Sequence, residues 1–310
     1  MKIGIIGTGM IGSSMAALFT GNGYETTVLA VNEELAASGE KNWKGMYQAL
    51  EEQGLMTEEQ TCRCRKKLHF TLTYQDLAEA DVIFECAFED KDVKWSIYKE
   101  IEENCGNYKV IISTSSAMSP ETLSPGLKRT PEKLVVAHPF NPPHLVPFVE
   151  LVGSAVTDRE AVQTAYNVLE ACGRKVCVMK KSAPGFIANR LQHALLREAI
   201  YMVEQGMADP RDIDKALMYS FMPRYTSVGL FEHQDAAGLD MVKNIEDYLL
   251  KDLSNASKAP EFICSRVAAG QLGQKTGQGV YTWDEAAKED FKERAAAPYW
   301  KYFNWKIPEE

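Results

Sequence analysis

Apolar residues follow two different rhythms along this chain. Up to about residue 180 they gather in short continuous runs: Lys2 to Ile6, Thr26 to Val31, Asp81 to Glu85, Val110 to Ser113, Leu134 to His138 and Val176 to Met179. The segments between the runs have helical spacing, so strands alternate with helices, and that alternation implies a doubly wound, mostly parallel sheet. From Ala188 the helical rhythm continues unbroken through NRLQHALLREAIYMVEQGMADPRDIDKALMYS, which predicts an all-helical second domain. The expected division is 1–181 and 182–310. No internal repeat or low-complexity linker lies between them, so the two domains are expected to pack together. The stretch from Ala295 to Glu310 carries Tyr299, Trp300, Tyr302, Phe303 and Trp305, a cluster that needs burial against the chain itself or a second subunit.

Composition narrows the function without naming it. The 310 residues are 45% hydrophobic and 25% charged, an ordinary globular make-up with length for two domains. A formal net charge of -9 and the absence of a basic, aromatic-studded stripe argue against nucleic acid as a partner. No apolar run approaches the roughly 20 residues of a membrane helix, so no membrane partner is expected. The N-terminus enters its glycines at once, leaving no room for a cleavable signal, and a cytoplasmic location is the expectation. Seven cysteines, an odd number, fit a reducing compartment, and Cys62 and Cys64 have no second pair at zinc spacing; no metal is expected.

The first run ends in Gly7-Thr8-Gly9-Met10-Ile11-Gly12, and a helix follows. Strand, Gly-x-Gly-x-x-Gly, helix is the arrangement in which glycines permit a tight turn and close approach of a pyrophosphate to free N–H groups at the helix start. At the end of the second strand, where an acidic side chain usually accepts hydrogen bonds from the adenosine ribose, stands Ala30. No Arg or Lys is nearby to welcome the extra phosphate of NADP, and Glu33 and Glu34 repel it. NAD is the expected cofactor, with a weaker adenosine grip than usual.

VVAHPFNPPHLVPFVELV, residues 135–152, places His138 at the carboxyl end of a strand, where ligands bind in such sheets. A hydride leaves a secondary alcohol only if the hydroxyl proton leaves too, and histidine suits that task near neutral pH. Glu150 falls in the next extended segment, which can double back and hydrogen-bond the distal ring nitrogen. A core histidine with a satisfied ring is the alternative. Ser115 follows another strand end and reads as turn former or donor, and Asn189 as helix cap or donor.

Together, Gly7 to Gly12, STSS, AHPFNPP…VELV, PGFIANRL and GQKTGQGVY resemble the L-3-hydroxyacyl-CoA dehydrogenase family, of the 3-hydroxybutyryl-CoA dehydrogenase type, up to about Trp283. The resemblance implies a Rossmann-like NAD-binding domain, a helical domain that forms a homodimer, and a place in fatty acid metabolism. It further implies His138 as catalytic base, Glu150 as its partner, and Ser115 and Asn189 as hydrogen-bond donors to the substrate oxygen. Glu89, Lys94, Asn141 and Lys275 match family positions that contact the cofactor. YSFMPRYTSVGLFE, with Arg224, is more similar to relatives of the gulonate 3-dehydrogenase (lambda-crystallin) and carnitine dehydrogenase kind, in which Arg224 would bind a free carboxylate. The lean is to a 3-hydroxyacyl-CoA substrate, with Lys41, Lys44, Arg63, Arg65, Lys66 and Lys67 available for the CoA phosphates. A non-catalytic NAD-binding structural protein and an interaction module built on the aromatic tail are the readings of other classes.

Overall fold

The computed structural model describes residues 1–309. They divide into two compact units, Met1–Ile187 with the chain from Ala296 onward, and Ala188–Ala295.

The first unit is built on an eight-stranded sheet: β1 (Lys2–Ile6), β2 (Glu25–Leu29), β3 (Leu68–Thr71), β4 (Val82–Glu85), β5 (Val110–Ser113), β6 (Leu134–Pro139), β7 (Phe148–Gly153) and β8 (Lys175–Val178). Their order is β3-β2-β1-β4-β5-β6-β7-β8. Every pairing is parallel except β6 with β7. β1, β4, β5 and β6 are buried along almost their whole length, as strands covered on both faces must be. β3 and β7 are the strands that no apolar run announced; LHFT is short and half polar, and β7 follows a proline-rich turn.

Helices α1 (Met10–Gly21), α2 (Glu33–Glu52), α3 (Glu58–Arg65), α4 (Lys91–Asn104), the single turn α5 (Pro120–Leu123) and α6 (Arg159–Ala171) complete the unit. Small residues on α1 let α2 lie close: Trp43 and Tyr47 stack at 4.0 Å, and both direct polar atoms to Thr20 on α1. Because the connections between parallel strands cross over, the carboxyl ends of β1, β4, β5 and β6 line one edge of the sheet.

Two boundaries differ from expectation. The units divide after Ile187 rather than at 181/182. The cause is local: Phe186 is buried in the first unit's core, and the Ile187 N–H donates to Glu150 at 2.6 Å. The aromatic tail, expected with the helical domain, belongs to the first unit instead. Trp305 is buried against α1 and α2, and its indole occupies the space that any Cβ at Gly21 would need. The Lys306 N–H donates to Asn22 at 2.9 Å and Arg63 to the Pro308 carbonyl at 2.9 Å.

The second unit is helical: α7 (Ala188–Glu204), α8 (Pro210–Tyr219), α9 (Leu230–Ala237), α10 (Leu239–Leu249), α11 (Glu261–Ala268) and the start of α12 (Glu285–Trp300), which ends in the first unit. Among its described residues the buried apolar side chains are Ile200 and Ile213. None of the described helices is long and apolar enough to cross a membrane.

Candidate active site

The glycine turn separates into three jobs. Gly7 has φ +111, and a Cβ there would lie 2.6 Å from the Cys86 carbonyl oxygen; one at Gly12 would lie 2.0 Å from the Gly7 carbonyl oxygen. Those two glycines make the turn and the packing possible. A Cβ at Gly9 would meet nothing within 4 Å, so its space faces outward over the start of α1. That helix start carries no side-chain cap and no acidic residue in its first turn. Open N–H groups and an uncancelled helix dipole, reached across a glycine, fit a pyrophosphate. Thr8 lies buried in the turn, and Met10 and Ile11 open the helix, Met10 being exposed.

Toward the adenosine end the polar groups thin out. Ala30 is buried directly after β2, and Val31 is 86% exposed. Asn32 uses its side chain as the cap of α2, accepting from the Leu35 N–H at 2.8 Å.

At the end where the nicotinamide is expected, the reverse holds. Glu85, the last residue of β4, is fully buried; one of its oxygens accepts from Lys94 Nζ at 2.7 Å and from the Ala87 N–H at 2.8 Å. The other accepts from Tyr98 at 3.0 Å and Ser113 at 2.7 Å. Lys94 reaches Glu89 as well, at 3.5 Å. Glu89 accepts the Ser115 hydroxyl and, at 3.0 Å, the Ala117 N–H. Burial pushes the Glu89 carboxyl up, but the bonds from Ser115 and Ala117 and the Lys94 ammonium outweigh it and hold it below the usual carboxylate range. Lys94 thus stands at the expected end of the site as the buried partner of Glu85, and Ser115 directs its hydroxyl hydrogen at Glu89. Glu85 was hidden within an apolar run; the signal for it is a carboxylate ending a buried strand with a lysine nine residues on.

His138 and Glu150 are register partners across the antiparallel β6–β7 pair. Residues directly opposite project to the same face, so the turn between the strands turns a separation of twelve positions into contact. Glu150, fully buried, accepts from His138 Nδ1 at 2.8 Å. A carboxylate at Nδ1 assigns the hydrogen to that nitrogen and leaves the Nε2 lone pair outward. Phe140 meets the imidazole edge-on at 5.4 Å and Phe186 stacks on it at 5.3 Å. A cavity of about 520 Å³ lies alongside, lined by Ala117, Ser119, Thr122, Lys181, Pro184 and Phe186 among others. Asn141 is exposed in the turn that follows β6.

That turn is fastened to α1. Ser14 accepts the His144 backbone N–H at 2.9 Å and its hydroxyl meets His144 Nδ1 at 2.8 Å. Buried Arg174 donates to the carbonyls of Pro143 and Cys172 at 3.0 and 3.2 Å. Burial, helped by the Arg174 charge, pushes the His144 imidazole down to about 4.

Three expected site residues lie in the second unit. Asn189 is the second residue of α7, and Lys275 is exposed in a glycine-rich turn. Arg224 is exposed and bonds the ring of His233 at 2.8 Å.

The model of the 3-hydroxyacyl-CoA dehydrogenase NAD binding domain matches residues 2–182, and that of the family's C-terminal domain residues 185–283. A 3-hydroxybutyryl-CoA dehydrogenase of Mycobacterium tuberculosis is 29% identical over 91% of this chain and 98% of its own. An L-carnitine dehydrogenase of Oceanobacillus iheyensis is 33% identical over 76% of both chains. The solved structure of 5-formyl-3-hydroxy-2-methylpyridine 4-carboxylic acid 5-dehydrogenase, described as an NAD-dependent dismutase, is 26% identical. It superposes with a TM-score of 0.87 over 97% of this chain and 96% of that one. Matched by both domain models in order, the chain belongs to the 3-hydroxyacyl-CoA dehydrogenase family.

Proposed function

We propose that the protein oxidises a 3-hydroxyl group to a 3-keto group, reversibly and with NAD, and that His138 is the base. The observation that carries this reading is the buried His138–Glu150 pair at 2.8 Å on the carboxyl edge of the sheet. NAD, when bound, supplies the hydride acceptor. Nε2 of His138 takes the hydroxyl proton, and Glu150 holds the tautomer that makes Nε2 the acceptor and then balances the imidazolium charge. Ser115 hydrogen-bonds the substrate oxygen by exchanging Glu89 for it, and Asn189 is the second donor. Gly7 to Gly12 receive the pyrophosphate, Glu89 and Lys94 order the nicotinamide ribose, and Asn141 and Lys275 contact the cofactor. A protein that merely bound NAD would have no use for a carboxylate sealed behind a strand-end imidazole.

Between the two substrate classes, the state of Arg224 is the observation that brings a free 3-hydroxy acid forward beside the acyl-CoA. Of the six cations suited to CoA phosphates, Lys44 and Arg65 pair with Glu40, Arg63 with Glu59 and Lys67 with Glu25, while Lys41 and Lys66 pair with no carboxylate among the described residues. Arg224 too pairs with no carboxylate among the described residues; its partner is an imidazole. A guanidinium in that state is available to a substrate carboxylate. We further assign the second unit to a homodimer interface, because Tyr219, Phe231, Leu239 and Tyr248 are each more than 60% exposed.

NADH consumption tests the reading, with acetoacetyl-CoA and free acetoacetate compared, beside His138→Gln and Arg224→Ala. Loss of turnover of about 10²–10⁴-fold is expected for His138→Gln, with NAD binding intact; near-normal turnover there would dismiss the base. Arg224→Ala should raise KM for the free acid alone. Preference of the wild type for the thioester would place the substrate in the acyl-CoA class.

A further inference from the structure

Phe186 combines a strained backbone with contact to the His138 ring. It is the one residue other than glycine with positive φ among those described, at +47, directly after Gly185 at +77. Left-handed backbone is free for glycine and strained for a residue with a Cβ. Gly185 makes the turn, so a second glycine at 186 would relax it. A phenylalanine is there instead, 3% exposed, its ring stacked on the His138 imidazole at 5.3 Å and 30°. The same strained backbone aims the next N–H, that of Ile187, at Glu150 Oε1 at 2.6 Å. One turn therefore touches both members of the pair, the imidazole through a side chain and the carboxylate through the backbone.

We propose that Phe186 is a positioning residue for the dehydrogenation. Its ring, opposed by Phe140 edge-on at 5.4 Å, restricts rotation of His138 so that Nδ1 stays on Glu150 and Nε2 stays directed at the substrate hydroxyl. When the hydroxyl proton moves to Nε2, the face of the same ring lies within the roughly 6 Å at which an aromatic quadrupole attracts a cation. The proposal rests on the reading of His138 as the base. It makes the strain at residue 186 the consequence of a geometric demand made by the chemistry.

Proton NMR of the folded protein, together with turnover, tests it. The Nδ1–H of His138, hydrogen-bonded to a buried carboxylate, gives a downfield resonance, assigned by its disappearance in His138→Gln. The resonance should persist in wild type and in Phe186→Tyr, and should broaden by exchange with water in Phe186→Gly and Phe186→Leu. Turnover should fall about 10- to 100-fold in those two variants, the effect of a small misplacement of a reacting group. Their NAD dissociation constants should stay within about twofold of wild type, by the rule that sites without shared contacts act independently. Phe186→Gly accepts the backbone conformation but leaves a cavity where a buried ring stood, which costs stability. Its turnover is therefore read on protein shown to be folded by circular dichroism and beside Phe186→Leu, which keeps part of the core volume. A sharp, unmoved resonance with normal kcat in Phe186→Gly would overturn the proposal, leaving the ring as core filling. Loss of the resonance in His138→Gln with turnover retained would instead remove the base while leaving the NMR test of positioning intact.

Discussion

Along the carboxyl edge of the sheet, the two ends of the cofactor site are built differently. At the nicotinamide end Glu85, Lys94, Glu89 and Ser115 form one chain of ion pairs and hydrogen bonds, with Glu85 and Lys94 sealed from solvent. At the adenosine end Ala30 offers a methyl group, Val31 faces solvent and Asn32 is engaged as a helix cap. On the site assignment proposed above, the contrast means that this chain holds by geometry the half of the cofactor that reacts. Hydride transfer tolerates little misplacement, whereas the adenosine half contributes affinity alone.

The first way to break the comparison is to remove the charge on which the nicotinamide end is organised. Lys94→Met leaves the Glu85 carboxylate buried without its cation, a change of about 3–5 kcal/mol in comparable pairs. Urea unfolding should show a loss of that order. A loss below about 1 kcal/mol would mean that Tyr98, Ser113 and the Ala87 N–H satisfy Glu85 unaided.

Next in size is a pH effect at the turn after β6, which Ser14 ties to α1 through His144. His144 titrates near 4 when folded and at the ordinary 6.5 when unfolded. Its folded pKa is depressed, so below 6.5 the unfolded chain binds a proton that the folded chain refuses. Stability is therefore complete above 6.5 and declines as pH falls toward 4, by about 3 kcal/mol in all. Between pH 6.5 and 4.5 carboxylates add little, but all five histidines titrate in the unfolded chain, so the share of the fall that a His144 substitution removes is the share that reports His144. His144→Gln should make the fall shallower; an unchanged slope in that variant would place the titrating group elsewhere.

What the sequence discloses follows the same division. Glycines, a strand-end histidine and a glutamate in the adjoining extended segment are local patterns, and each of these residues lies in the first unit with a geometry that fits its expected part. Glu85 is legible only through a lysine nine residues beyond a strand-end carboxylate, and Phe186 not at all, because an aromatic after a glycine carries no sign of its partners; backbone handedness supplies that. The aromatic tail showed that it needed covering but not what would cover it. Gly21 is the matching half, and only the fold brings it under Trp305. For Asn189, Arg224 and Lys275 the sequence gives identity, and activity must give the role.

Strengthening the weak end is the reciprocal experiment. Ala30→Asp restores a carboxylate at the end of β2, where a ribose hydroxyl pair can donate to it. Hydrogen bonds to a charged group contribute about 1.5–3 kcal/mol, so the NAD dissociation constant should fall by roughly tenfold or more. Calorimetry on the variant measures it. Unaltered affinity would show that the ribose does not pass Ala30, and the contrast between the ends would need another origin.

The smallest effect concerns the extra phosphate of NADP. The start of α2 is a helix N-terminus, which by itself attracts phosphate. Its first turn, however, carries Glu33 and Glu34, and Asn32 already occupies the Leu35 N–H. Attraction by the dipole and repulsion by two exposed carboxylates nearly cancel, and exposed charges interact by only about 0.2–1 kcal/mol. Wild-type protein should therefore prefer NAD to NADP by no more than about fivefold, and the margin should shrink further as salt screens the carboxylates. Ala30→Asp should widen it, since the new carboxylate stands against the same phosphate. Tighter binding of NADP than NAD by the wild type would reverse the sign assigned to Glu33 and Glu34 and make the dipole of α2 the stronger influence.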